Sequence, residues 1–100
     1  MVKVKVKAVA SICDLVAGGA DQEIRMPAGS TLADLLQKLI ADSGEKFRRR
    51  IFLEDSQESD VVRKDIRLLI NGRDYIFVEG LDSLLEDGDR VSIMPLMGGG

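Results

Sequence analysis

Ser30-Thr31-Leu32-Ala33-Asp34-Leu35-Leu36-Gln37-Lys38-Leu39-Ile40 decides the fold. Its apolar residues Leu32, Leu35, Leu36, Leu39 and Ile40 fall at i, i+3, i+4, i+7 and i+8, the stripe on one face of an amphipathic α-helix. Pro27 and Gly29 punctuate the approach, Thr31 and Asp34 have the spacing of a capping box, and Ser43-Gly44 supplies a stop. A leucine face of this kind is core rather than a cofactor site, and it needs a second layer to cover it.

Working outward, the candidates for that layer are strands. Val2, Val4 and Val6 alternate with Lys3, Lys5 and Lys7, a period of two that predicts a strand with one wet face. The lysines are expected to discourage edge pairing or to cover a surface. Residues 8 to 17 read as a short helical or irregular connection closed by Gly18-Gly19, and Asp21 to Met26 as a weaker strand antiparallel to the first. Beyond the helix, a short helical stretch is expected from Phe47 to Phe52, then a polar surface loop from Glu54 to Asp65. Ile66–Ile70 and Tyr75–Val78 are β-rich and flank Asn71-Gly72-Arg73-Asp74, so they predict a hairpin with Asn-Gly at its turn. Leu81, Leu84 and Leu85 suggest a helical turn, and Glu86-Asp87-Gly88-Asp89 leads into a last strand, Arg90–Met94. The sum is one α+β domain: a mixed sheet with one main helix packed across it.

Composition narrows the chemistry. A net charge of −3 and a pI near 4.9 give no basic footprint for a nucleic-acid backbone. Lys3, Lys5, Lys7 and Arg48-Arg49-Arg50 read as solvated faces. There is no histidine, and Cys13 is the sole cysteine, which excludes an intramolecular disulfide and a multi-cysteine metal site and removes the commonest general acid-base group. Cys13 lies among apolar neighbours and is expected to act as a small buried hydrophobe. The first residues lack the long apolar run of a signal peptide or membrane span, so the expected address is the cytoplasm.

The chain finishes Pro95-Leu96-Met97-Gly98-Gly99-Gly100. Glycines bury no side chain and lose the most entropy on ordering, so residues 98–100 are expected to be a mobile tail on a domain spanning 1–97. Such a tail suits a carboxylate that must enter another protein's narrow active site, although a frayed end is the plainer alternative.

Taken in order, Leu69-Ile70-Asn71-Gly72-Arg73-Asp74, then Glu79-Gly80-Leu81-Asp82-Ser83-Leu84-Leu85-Glu86-Asp87-Gly88-Asp89-Arg90-Val91, then Pro95 and the glycines resemble the MoaD/ThiS family of ubiquitin-like sulfur carriers. The nearer branch is MoaD, the small subunit of molybdopterin synthase, and nearly the whole chain takes part. The resemblance implies a β-grasp, ubiquitin-like fold with the first and last strands side by side. It implies a carrier without catalysis of its own and with no bound cofactor. A MoeB-like activating enzyme would use ATP to adenylate Gly100, or Gly99 after trimming, and a sulfur donor would convert it to a thiocarboxylate. A MoaE-like large synthase subunit would receive the tail for molybdopterin synthesis. Gly98 and Gly99 would thread the partner's channel, and Met97, Leu96 and Pro95 would dock on it. Family members usually end in two glycines, often after Pro-Pro, where this chain has Pro95-Leu96 and three glycines. Two other outcomes fit the same residues: a ubiquitin-like modifier joined to lysines, and an interaction module whose glycines are idle.

Overall fold

The computed structural model describes residues 1–52 and 62–95. Strand β1 (Val2–Ala8) and strand β2 (Asp21–Met26) pair antiparallel, with Val4 opposite Ile24 and Val6 opposite Gln22. A short 3-10 turn at Ala10–Asp14 links them, and Gly18 and Gly19 adopt the positive φ that reverses the chain. Helix α1 (Leu32–Ser43) follows, then α2 (Glu45–Ile51). Strand β3 (Ile66–Ile70) turns through Asn71 (φ 53) and Gly72 (φ 83) into the two-residue strand β4 (Arg73–Asp74). Both turn residues are in the left-handed region, as a primed hairpin turn demands. Strand β5 (Arg90–Pro95) completes a sheet of order β2-β1-β5-β3-β4, in which β1 and β5 run parallel and the other pairs antiparallel.

Alternation sends Val4, Val6, Ala8, Ile24, Met26, Ile66, Leu68, Ile70, Val91 and Ile93 to one buried face. There they join Leu32, Leu35, Leu36 and Leu39 of α1 and Phe47 and Ile51 of α2 in a single core. The capping box forms as its spacing predicts: Asp34 N–H donates to Thr31 Oγ1 (3.3 Å) and Thr31 N–H donates to Asp34 Oδ2 (2.9 Å). Arg48 and Arg49 pair with Glu45 one helical turn away, and Arg50 pairs with Asp65, so the arginine run is a solvated face.

Two expectations change, and a third, for the lysines, is decided in favour of covering a surface. The lysines of β1 do not guard an edge, because β1 is paired on both sides; they stand on the open face of the sheet. Tyr75–Val78 is not the returning strand. Asp74 Oδ1 accepts from the Ile76 N–H (3.2 Å), and this cap starts a 3-10 turn over Tyr75–Phe77 after two strand residues. Leu81–Leu85 holds only a 3-10 turn at Gly80–Asp82; Leu85 is buried while Leu84 lies exposed beside Thr31. Of the predicted loop at 54–65, residues 54–61 lie outside the described residues, as do Leu96, Met97, Gly98, Gly99 and Gly100.

Leu36 is completely buried in the stripe, so Leu36→Ala should destabilise the domain by about 2–5 kcal/mol. Thr31→Ala removes one cap and should cost about 1 kcal/mol. Urea unfolding of the two variants beside the parent checks both, with Leu36→Ala expected to cost more than Thr31→Ala.

Candidate functional site

The residues singled out by sequence begin at Pro95, the last residue of β5. Of these, Pro95 is described: it is half-buried and registers opposite Ile66 of β3. Everything up to it is pinned. Lys5, Val6, Lys7 and Ala8 of β1 register with Arg90, Val91, Ser92 and Ile93 on one side of β5, and residues 66–70 cover the other. Val9 N–H donates to the Ile93 carbonyl (3.0 Å), extending the parallel ladder beyond β1 itself.

The turn before β5 is fixed by side chains. Asp87 Oδ1 accepts from Lys3 N–H (2.8 Å), Asp89 Oδ2 from Glu86 N–H (2.8 Å), and Asp89 Oδ1 from Asn71 Nδ2 (3.0 Å). Asn71 Oδ1 in turn accepts from Arg90 N–H (3.0 Å). The Asn-Gly turn and the Asp-Gly-Asp turn are therefore one bonded unit that sets the start of the last strand. Ser83, fully buried, supplies a second anchor: its hydroxyl donates to the Gly80 carbonyl (2.7 Å) and accepts from Glu79 N–H (2.9 Å).

Around the exit the chemistry is ionic and exposed. Asp65, next to Ile66, takes Arg50 and Arg63 at 3.2 Å each. Slight burial pushes its carboxyl up, but the Arg63 hydrogen bond and the Arg50 and Arg63 charges outweigh that and hold it below its ordinary value. Arg67, whose register partner is Met94, pairs with Asp74 at 3.8 Å. Among the described residues no group of three or more acidic, histidine or cysteine side chains could hold a metal. Cys13 is half-buried at the margin of the core, less enclosed than its apolar neighbours suggested. No described helix is long and apolar enough to cross a membrane.

This geometry, a central strand that carries the chain out of the sheet, coincides with a family match. The ThiS family model covers residues 6–100. The chain belongs to the ThiS family. Its members are ubiquitin-like sulfur carrier and modifier proteins. It is 33% identical over 76 residues to small archaeal modifier protein 3 of Haloferax volcanii, covering 76% of each chain. Its fold superimposes on small archaeal modifier protein 1 of Methanosarcina acetivorans with a TM-score of 0.82 at 30% identity, covering 100% of this chain and 98% of the other. A Pyrococcus furiosus chain named as molybdopterin converting factor, subunit 1, gives a TM-score of 0.71 at 35% identity, covering 95% and 98%. The β-grasp expectation and the MoaD/ThiS resemblance both stand.

Sequence reading missed Ile76 and Phe77, which it assigned to a strand and which the structure leaves 61% and 75% exposed. The signal that could have found them is Asp74, two residues before Ile76, an acceptor placed to start a turn.

Tyr75, the sole tyrosine, is partly buried and sits beside the Asp74 carboxylate; burial first, and that charge second, raise its phenol above 10.0. The unfolded chain therefore ionises first, and this contribution to stability is whole below the unfolded value and lost as pH rises through the folded one. A spectrophotometric titration should place the native midpoint above 10.0, and Asp74→Asn should lower it part of the way.

Proposed function

We propose that this chain is a sulfur carrier whose terminal glycine carboxylate is activated as an acyl-adenylate and then carried as a thiocarboxylate, with molybdopterin synthesis as its destination. The observation that carries this reading is that the ThiS match runs through the glycines to Gly100, directly after a strand anchored on both sides.

A carboxylate resists substitution because oxide is a poor leaving group. In the proposed sequence a MoeB-like enzyme supplies ATP, the Gly100 carboxylate attacks the α-phosphate, and pyrophosphate leaves. A sulfide-level nucleophile from a donor then attacks the acyl carbon and expels AMP, so that one oxygen is exchanged for sulfur. A MoaE-like partner takes up the tail and transfers the sulfur to a pterin precursor. Activation in trans places acid, base and oxyanion stabilisation on the partners, and this chain's role is presentation. Gly98 and Gly99 let the backbone approach the channel walls, which a Cβ would obstruct. Pro95, Leu96 and Met97 form the neck that meets the partner's entrance. In this reading residues 1–97 are the handle and 98–100 the working end; trimming by one residue would shift the reactive carboxylate to Gly99.

The likeness to two small archaeal modifier proteins favours a second reading, in which the same adenylate is attacked by a lysine amine and the product is an isopeptide. Both readings share the first step and part at the nucleophile.

Incubation with ATP, the activating enzyme and sulfide should raise the intact mass by the exchange of one oxygen for sulfur. Deletion of Gly98–Gly100 should abolish the gain, and Gly99→Val should suppress it with no change in unfolding midpoint. A wild-type protein that keeps its original mass, while a competent control carrier gains sulfur alongside, would falsify the proposal.

A further inference from the structure

The two edges of the sheet differ. At one, β4 is a strand of two residues. At the other, β2 offers six residues whose register with β1 runs without a bulge, and among the described residues no strand pairs with its outer side. Sheet edges are commonly blunted by shortness, by bulges or by a run of lysines, and β2 uses none of these.

Hydrogen-bond parity shows what this edge presents. Ala8 N–H donates to the Ala20 carbonyl (2.8 Å), so Gln22, Ile24 and Met26, in the same phase, turn their main-chain groups toward β1. Lys5 and Val9, in the other phase of β1, donate to Asp89 and Ile93 on the β5 side. The N–H and C=O groups of Asp21, Glu23 and Arg25 therefore point away from the sheet, and their exposed side chains stand on its open face. Such a row is completed by another strand.

Charge order selects that strand. In an antiparallel pairing of β2 with β2 of a second copy, a two-fold axis at Ile24 sets Glu23 opposite Arg25 twice, in the phase whose main-chain groups face outward. An axis at Gln22 sets Asp21 against Glu23, one at Glu23 sets that residue against itself, and one at Arg25 joins two arginines. Like charges directly opposite destabilise a ladder, so of these four registers only the first avoids a clash. Within the chain Glu23 lies opposite Lys5 and Arg25 opposite Lys3, and neither forms an ion pair among the described residues. Arg25 thus has a like charge as its cross-strand neighbour, and Glu23 of a second copy would compensate it. Pro27, without an N–H, would fall opposite Asp21 and end the ladder, which keeps the contact short.

We propose that two copies of this chain pair reversibly through β2, antiparallel about Ile24, and join two five-stranded sheets into one. The seam lies two strands, roughly 10 Å, from β5, so the pairing leaves the last strand in place between β1 and β3. It does not depend on the carrier reading.

The test is sedimentation equilibrium of the full chain from about 10 μM to about 1 mM, at low and at high salt. The expected result is a monomer–dimer equilibrium that weakens as salt is added. Glu23→Arg and Arg25→Glu should each weaken it about tenfold or more, because each turns both cross-strand pairs into like charges. Mixing the two variants in equal amounts should restore it, since every pair then joins opposite charges. Arg25→Pro removes an outward N–H while leaving the β1 ladder intact, and should abolish the dimer. Unfolding midpoints of the dilute variants check that each one folds. A chain that stays monomeric at about 1 mM in low salt overturns the proposal. So does a dimer that the charge variants leave unchanged, or one that their mixture fails to restore.

Discussion

Strand β5 hangs between two neighbours of opposite direction, β1 parallel on one side and β3 antiparallel on the other, and the rest of the molecule depends on that pairing. It joins the hairpin made by the first 26 residues to the hairpin made by the last third of the chain, and without it the core would fall into two halves. Val91 and Ile93, fully buried, lie at the middle of the sheet's inner face beneath the helices. A parallel pair between the two chain ends requires everything else to be wound between them, which is what the crossover through α1 and α2 accomplishes.

The same pairing explains how a small domain can act through residues outside its core. Backbone hydrogen bonds hold β5 as far as Pro95, so the point from which Leu96 departs is set by the whole sheet rather than by a loop. The turn network of Asn71, Asp87 and Asp89 fixes the other end of the strand. The proposed carrier role would give that construction a purpose, because it requires one carboxylate to be presented at a constant place to more than one partner.

Much of this was legible in the sequence wherever one local rule acted without competition. The leucine stripe, the Thr31-Asp34 box and the Asn71-Gly72 turn each depend on spacing or on a backbone conformation that few residues adopt, and each formed as read. The lysine alternation gave the strand and its wet face but not its neighbours, because period two is the same in an edge strand and a paired one. Tyr75–Val78 was misassigned because β-propensity reports fit to a half-buried surface, and here a single side-chain acceptor at Asp74 ended the ladder first. The glycine tail lies outside the described residues, and its reading rests on what glycine lacks and on its distance after Asp87-Gly88-Asp89.

The most direct measurement is the intact and carboxy-terminal fragment mass of the protein isolated from its native cells, taken under conditions that preserve thioacids. The account predicts a fraction of molecules with sulfur in place of one oxygen on the terminal glycine, rising when the sulfur acceptor is withheld. A terminal carboxylate that is never replaced, in cells actively making sulfur-containing cofactors, would contradict it.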